Sequence, residues 1–287
     1  MHTQRDKAVR FQALHALPQA FLIPNAWSAG TARLLELKGF AAIASTSAGY
    51  AYFQGKPDNG IGRERTIEHL RELVSATTLP VSADLENGFG TSPDDTARTI
   101  RLAAAAGVVG GSIEDSRNDG TDGLFAYELA VERVRAAAEA AHALPFPFML
   151  TARCENFVAG RPDLQDTIRR LQGYQEAGAD VLFAPGLRTL DDIATVVKSV
   201  DRPVNVIMGF PGVKISVSAL SAVGVRRISV GAALARAAFA AFLASVDELR
   251  EQGTFRFAER AVSGKMLNEL FAEYCARPAA NSGDAGL

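Results

Sequence analysis

VSADLENGFGTSPDDTARTIRLAAAAGVVGGSIE, residues 81–114, predicts a strand, a helix and a second strand in that order. Residues 81–84 and 111–114 are short, mostly apolar runs of strand length. Ser92-Pro93-Asp94-Asp95 is a good helix start, because serine caps free amides, proline suits the first helical position and aspartates favour the positive end of the dipole. Gly107 follows the helical pattern, where a left-handed C-cap is expected. Such a unit predicts two parallel strands joined by a right-handed crossover.

The same alternation of short apolar runs and longer amphipathic segments repeats along the chain. The strand candidates are residues 21–25, 41–45, 81–84, 111–114, 148–153, 181–183, 204–208 and 226–230. Most are apolar on both faces, as strands must be when helices cover one side and a barrel interior the other. Gly39, Gly178 and Gly224 stand at predicted helix ends and repeat the C-cap of Gly107.

These features predict a single α/β domain over residues 1–276, a (β/α)8 barrel of the TIM type. No Gly-x-Gly-x-x-Gly follows the first strand, which weakens the alternative of an open dinucleotide-binding sheet. The apolar periodicity of residues 256–275 predicts an additional C-terminal helix. Residues 277–287 are expected to be disordered.

Composition narrows the class of protein. The chain has 287 residues, 48% of them hydrophobic, which is ample for one large core. A formal net charge of −2 does not indicate binding to nucleic acid or to an anionic membrane, because both attract strongly basic proteins. Arg236 interrupts the most apolar stretch, 231–246, and residues 1–10 do not resemble a secretory signal. The two cysteines exclude a disulfide framework, so we expect a cytoplasmic protein.

Polar residues stand at the predicted carboxyl ends of the strands, where barrel enzymes carry their catalytic groups. A purely structural role would favour small or apolar residues there. The residues at these ends are Asn25, Ser45-Thr46-Ser47, Asp84, Glu114, Arg153 and Asn205.

A group of three acids is the most informative feature of these strand ends. Asp84 and Glu86 lie two apart, so an extended strand end would turn both to one side, and Glu114 ends the neighbouring strand. Carboxylates crowded at one barrel mouth repel one another unless a cation lies among them. Oxygen donors without clustered His or Cys indicate Mg²⁺ or Mn²⁺ rather than zinc. The alternative is that an acid only caps a helix or pairs with arginine.

Other groups at the same face suit an anionic substrate. Arg153 offers a guanidinium that binds carboxylate or phosphoryl groups in two-point fashion, or else pairs with the acids. Residues 45–50, STSAGY, offer hydroxyls and backbone amides for an anionic oxygen. Cys154 is expected to be a passive neighbour. The polar, glycine-rich loops 55–60 and 115–123 are either lids or ordinary solvated loops.

The ordered set of these motifs resembles the isocitrate lyase / phosphoenolpyruvate mutase superfamily across nearly the whole chain. The matching stretches are LIPNAW at 22–27, TSAGY at 46–50, SADLENGFG at 82–90, SIED at 112–115, TAR at 151–153 and PVNV at 203–206. The resemblance implies Mg²⁺ held chiefly by Asp84, with Asp58, Glu86 and Glu114 bonding its waters. It also implies a homodimer or homotetramer whose terminal helix is exchanged between subunits.

The resemblance further implies a small 2-oxo acid substrate that chelates the metal and reacts through a metal-stabilised enolate. Its implied substrate site comprises Ser45, Thr46, Ser47, Gly49, Tyr50, Asp84, Arg153 and Asn205, with Arg153, Tyr50 and Glu114 as the catalytic residues.

Two loops differ in sequence from those of the superfamily's lyases, and the differences bear on which reaction we expect. Its isocitrate and methylisocitrate lyases carry Lys-Lys-Cys-Gly-His in the loop after the fourth strand, where this chain has Asp115-Ser116-Arg117-Asn118-Asp119-Gly120. Those lyases also carry a glutamate after the sixth strand, where this chain has Ala184-Pro185-Gly186. We therefore do not expect either lyase activity. The chain is most similar to the mutase-like subgroup that lacks the cysteine loop.

Three functions stay open at this point. The first is cleavage of a C–C bond next to the 2-oxo carboxylate, by a decarboxylase, lyase or acyl hydrolase acting on a small 2-oxo dicarboxylate. The second is P–C chemistry on a phosphonopyruvate-type substrate, for which Asn118 is the one matching residue in the gating loop. The third is a barrel that binds a 2-oxo acid without catalysis, against which the joint presence of the acids and Arg153 argues.

Overall fold

In the computed structural model, which describes residues 3–119 and 123–276, nine parallel strands form one sheet that closes into a barrel. The strands are β1 Phe21–Ile23, β2 Asn25–Ala26, β3 Ile43–Ser45, β4 Val81–Asp84, β5 Gly110–Glu114, β6 Met149–Arg153, β7 Val181–Phe183, β8 Val204–Ile207 and β9 Arg227–Ser229. Strand β1 pairs with β9 and strand β2 with β3, so the two segments on either side of Pro24 close the ring. This confirms the predicted α/β barrel.

Helices alternate with the strands. They are α1 Gln4–Ala16, α2 Ala29–Leu37, α3 Ser47–Phe53, α4 Arg63–Ser75, α5 Pro93–Ala105, α6 Tyr127–His142, α7 Leu164–Glu176, α8 Leu190–Lys198, α9 Val217–Ala222, α10 Ala233–Gln252 and α11 Gly264–Ala276, with a 3₁₀ turn at Arg256–Arg260. Within the described residues, no helix is long and apolar enough to cross a membrane.

The local signals explain most of these boundaries. Ser92 caps α5 through a reciprocal pair of bonds with Asp95, as its sequence predicts. Gly39, Gly107 and Gly178 adopt the left-handed φ values of 81°, 101° and 104° that end a helix, which confirms their predicted role.

Most predicted strands agree with the structure to within one or two residues, and two predicted elements are divided. The predicted strand 21–25 is split at Pro24, whose nitrogen has no hydrogen to donate to a neighbouring strand. The predicted helix 256–275 is also wrong as one element, since the 3₁₀ turn and α11 are separated by residues 261–263. The tail 277–287, expected to be disordered, lies outside the described residues.

Helix α1, which the sequence-based prediction omits, packs beneath the barrel. Phe11 and His15 on its buried face make edge-to-face contacts with each other and with Phe21 of β1. At the other end of the chain, α11 packs on α2, and the Tyr274 hydroxyl donates to Glu36 at 3.1 Å. The functional strand ends therefore open on the face opposite α1.

Candidate active site

The carboxyl ends of the strands surround a cavity of about 180 Å³. Most of the predicted site residues line it: Asn25, Ser45, Thr46, Ser47, Asp58, Asp84, Arg153 and Asn205. A second cavity of about 400 Å³ shares Ser47, Asp58 and Arg153 with the first and extends past Glu114 and Asn118. The two adjoining cavities give a polar opening deep enough for a small ligand.

Asp84 lies at the centre of this opening because it is the last residue of β4. Its Oδ2 atom accepts hydrogen bonds from the Ser47 backbone amide at 3.0 Å and from the Ser47 hydroxyl at 2.9 Å. Its own amide donates to the Ser45 hydroxyl at 2.8 Å. The strand end and the first turn of α3 therefore fix the carboxylate, leaving Oδ1 on the side of Arg153, 3.5 Å from Nη1.

Arg153, at the end of β6, lies among three carboxylates. Its Nη1 is 3.1 Å from Glu114 and 3.5 Å from Asp84, and its Nε donates to Glu155. Burial alone would lower the pKa of this guanidinium, but the negative charges of Glu114 and Glu155 raise it. Burial raises the pKa of the Glu114 carboxyl, which also accepts a bond from Asn118 at 3.1 Å. Arg153 is thus held charged and centred.

Glu86 reaches the site by a different backbone path from the one expected. Strand β4 ends at Asp84, and Glu86 has a φ of 49°, so the argument that an extended strand turns both acids to one side is wrong. Glu86 is nonetheless 5% exposed and close to the other acids. Burial, together with the charges of Asp84 and Glu114, raises the pKa of Glu86 to about 9. A left-handed glutamate is strained, which is typical of functional loops.

Acidic side chains outnumber basic ones at this opening. Asp58, Asp84, Glu114 and Glu155 line it, Glu86 lies in an adjoining cavity, and Arg153 pairs with three of the four lining acids. Within residues 3–119 and 123–276, no three acidic, histidine or cysteine side chains converge as a ready set of direct ligands. Mg²⁺ commonly keeps several waters and uses one or two carboxylates. The donor set therefore fits a water-rich divalent cation.

Asn205 lies deeper, on β8, and is 1% exposed. Its amide nitrogen donates to Ser229 at 3.1 Å, and its oxygen accepts from Arg227 at 2.9 Å. The buried network below the opening thus fixes the orientation of the amide, which lines the inner part of the cavity.

The structure does not bring Tyr50 or Gly49 to the cavity wall. Residues 47–53 form helix α3 rather than a loop, and the Gly49 amide donates to Thr46 Oγ1 at 3.2 Å. The Tyr50 ring stacks on His69 at 3.6 Å between centroids, away from the opening. Cys154 is fully buried in the core, and burial raises the pKa of its thiol, as expected of a passive neighbour.

Sequence analysis missed three residues that contact the candidate site or the loops around it. Glu155 accepts a hydrogen bond from Arg153. Its position two residues after that strand-end arginine could have predicted this contact. Asp115 is buried and accepts from Arg170 at 3.1 Å and from Tyr174 at 2.6 Å, which anchors the loop after β5. Arg227 lines the inner cavity. Of the loop 115–123, for which a lid and an ordinary solvated loop were both open, residues 120–122 lie outside the described residues.

The chain is thus a parallel α/β barrel whose strand ends form a polar, carboxylate-rich opening, the place where barrel enzymes carry their catalytic groups. The family model described as phosphoenolpyruvate phosphomutase matches residues 11–250. The chain belongs to this family, which confirms the resemblance drawn from its motifs.

Similar solved structures agree with this assignment. A proposed lyase/mutase from Burkholderia cenocepacia J2315 is 56% identical, with a TM-score of 0.90 over 94% of this chain and 96% of that one. A phosphonopyruvate hydrolase solved with oxalate and Mg²⁺ is 25% identical, with a TM-score of 0.81 over 95% of this chain and 96% of that one.

Characterised relatives differ in their reactions. The oxaloacetate decarboxylase of Chromohalobacter salexigens is 30% identical over 87% of this chain and 86% of its own length. The 2-methylisocitrate lyase of Bacillus subtilis (strain 168) is 29% identical over 70% of this chain and 67% of its own length. These relatives support an enzyme that cleaves C–C bonds. They give no support to the exclusion of methylisocitrate cleavage, which rests on the loop residues alone.

Proposed function

We propose that this protein is a Mg²⁺-dependent enzyme that cleaves a C–C bond adjacent to the carboxylate of a small 2-oxo dicarboxylate. The observation that carries the proposal is the convergence of four acidic side chains, Asp58, Asp84, Glu114 and Glu155, around the ion-paired Arg153 at the opening of a small polar cavity. The oxaloacetate decarboxylase among the relatives supports this substrate class.

In this proposal the residues of the opening bind either the metal or the substrate. Asp84 is the expected metal ligand, with Asp58, Glu86 and Glu114 bonding the metal's waters. When bound, Mg²⁺ or Mn²⁺ supplies positive charge that stabilises an enolate oxygen as it develops on the substrate. Arg153 has its guanidinium beside this position and binds the anionic substrate. Ser45, Thr46 and Ser47 line the same wall and orient the ligand.

P–C bond chemistry on a phosphonopyruvate-type substrate is the second candidate. Asn118 favours it, because its amide donates to Glu114 at 3.1 Å and lines the second cavity beside Arg153. A solved phosphonopyruvate hydrolase shares the fold over nearly the whole chain. A barrel that binds a 2-oxo acid without turnover is the third, and only a turnover assay separates it from the other two.

The first experiment is a thermal-shift screen of 2-oxo acids and oxalate with and without Mg²⁺. A ligand at a hundred times its Kd stabilises a fold by about 2.7 kcal/mol, which is readily measured. We expect stabilisation that needs Mg²⁺, disappears in Asp84→Ala and persists in Asp191→Ala, a control at an exposed acid of α8. A shift that ignores metal or survives Asp84→Ala would refute the proposed site.

Turnover then separates the reactions. Oxaloacetate, 2-methylisocitrate and phosphonopyruvate are each incubated with the Mg²⁺-loaded enzyme, against a blank of Mg²⁺ alone. We expect products from an oxaloacetate-like substrate and none from 2-methylisocitrate. Phosphate release from phosphonopyruvate would favour the second candidate, and binding without turnover would favour the third.

A further inference from the structure

The inner end of the first cavity carries a buried positive charge. Arg227, the first residue of β9, is 5% exposed and lines this cavity together with Ser82, Ser112 and Asn205. The last three are small or neutral polar residues. The barrel interior is therefore not closed by large apolar side chains at this depth, and the space below the opening ends against a guanidinium.

The protein does not neutralise this charge. Arg227 Nε donates to Asn205 Oδ1 at 2.9 Å, Nη2 to Thr151 Oγ1 at 2.9 Å, and Nη1 lies 3.4 Å from His15 Nε2. All three acceptors are neutral, because burial and the Arg227 charge lower the pKa of His15 to about 3. In residues 3–119 and 123–276, Arg227 forms no ion pair.

Two other buried arginines are ion-paired, whereas Arg133 is held by backbone carbonyls and lines neither cavity. Arg153 pairs with Glu114, and Arg170 pairs with Asp115 at 3.1 Å. A buried charge without a counter-ion is costly, and burial lowers the pKa of the Arg227 guanidinium to about 9. A guanidinium carries five N–H groups, and three are used by the neighbours named above. Donors thus remain for an anion in the cavity.

The cavity is therefore electrically polar along its depth, with carboxylates at the opening and a guanidinium at the inner end. We propose that Arg227 is a substrate-binding residue that attracts a carboxylate of the 2-oxo acid into the inner part of the cavity. This inference rests on the proposed function and adds the orientation of the substrate, whose 2-oxo carboxylate lies towards Arg227 while the C–C bond to be cleaved lies nearer Glu114 and Asn118.

A purely structural role is the competing explanation, because Arg227 also orients Asn205. The two roles differ in what they change. A structural arginine affects the melting temperature, whereas a substrate-binding arginine affects the affinity for a carboxylate ligand beyond any loss of stability. Oxalate is a suitable probe, since it consists of two joined carboxylates.

Calorimetric titration of oxalate into the Mg²⁺-saturated protein tests the proposal with Arg227→Gln, Arg227→Lys and Leu73→Ala. Leu73 is fully buried on α4 and does not line the cavity, so its variant controls for lost stability. We expect Arg227→Gln to weaken oxalate binding by about 10- to 100-fold, as the loss of a charge-assisted bond predicts. Arg227→Lys keeps the charge and should weaken binding less, while Leu73→Ala should bind as the wild type does.

The outcomes separate the two proposals. Oxalate binding by Arg227→Gln within about threefold of the wild type would overturn the role of Arg227 and leave the proposed function standing. If Arg227→Gln fails to fold, Arg227→Met, which also removes the charge, takes its place, and oxalate binding within about threefold of the wild type would overturn the role of Arg227 equally. If the wild type itself shows no Mg²⁺-dependent binding of oxalate or any 2-oxo acid, both proposals fail.

Discussion

Glu155 contacts the same Arg153 guanidinium as Asp84 and Glu114, two of the acids expected at the metal. Because it binds Nε, it directs Nη1 towards Asp84 and Glu114. We expect Glu155→Gln to lower kcat/KM by about tenfold, since a bond between charged groups contributes about 1.5–3 kcal/mol. The affinity for Mg²⁺ should change little. Steady-state kinetics with a parallel metal titration measure both, and Glu176→Gln at an exposed helix end is the control. An unchanged kcat/KM would show that Arg153 is oriented without Glu155.

His15 gives the fold a specific sensitivity to acid. Its pKa is about 3 when folded, against an ordinary value of 6.5, so the unfolded chain binds more protons between these pH values. Stability from neutral His15 is complete above pH 6.5 and is lost as the pH falls towards 3, by up to about 1.4 kcal/mol per pH unit. We expect the free energy of unfolding of His15→Gln, measured with urea, to depend less on pH between pH 6.5 and 5 than that of the wild type. Leu73→Ala, which lowers stability without removing a titrating group, should keep the wild-type slope.

At the scale of elements, the loop between β4 and α5, residues 85–92, is held by two buried arginines. Arg133 of α6 donates to the carbonyls of Asn87, Gly90 and Ser92, and Arg63 of α4 donates to those of Gly88 and Phe89. These bonds stabilise a backbone that is left-handed at residues 86, 88 and 89. Two helices outside the site thus fix the position of Glu86.

We therefore expect Arg133→Met to weaken Mg²⁺ binding in addition to lowering the melting temperature. Buried carbonyls that lose their donors cost about 1–3 kcal/mol each, so the loop should relax and move Glu86. The melting temperature of the variant is compared with and without Mg²⁺ at fixed oxalate, and Leu73→Ala again controls for lost stability. A full Mg²⁺-dependent shift in a destabilised Arg133→Met would show that the arginine supports only the fold.

The elements also show what sequence can and cannot predict. Strand β4 is predicted to the residue, because a short apolar run between turn signals is a local feature. Helix α3 is missed because seven residues are too few for helical periodicity. The backbone of Glu86 is missed for another reason, since arginines at positions 63 and 133 impose it from far along the chain. The site was thus predictable in its strand-end residues and not in its loop conformation.

At the scale of the whole molecule, helix α10 is the feature that a lone barrel does not explain. Phe242 and Leu243 on it are 62% and 57% exposed, and Phe255 just beyond it is 71% exposed. Apolar side chains grouped in this way commonly mark a protein–protein interface. Since the resemblance to the superfamily implies a homodimer or homotetramer, we expect a second copy of the chain to cover this face.

Sedimentation velocity tests this expectation on the wild type and on Phe242→Asp/Leu243→Asp. A charge placed in an apolar interface costs several kcal/mol, so the double variant should sediment as a monomer or with a Kd raised by at least 100-fold. Its melting temperature should fall and lose its dependence on protein concentration, because association stabilises the folded state by mass action. Glu251→Lys, exposed near the end of the same helix, should associate like the wild type. A wild type that is monomeric at high concentration would show instead that α10 is exposed for another partner or none.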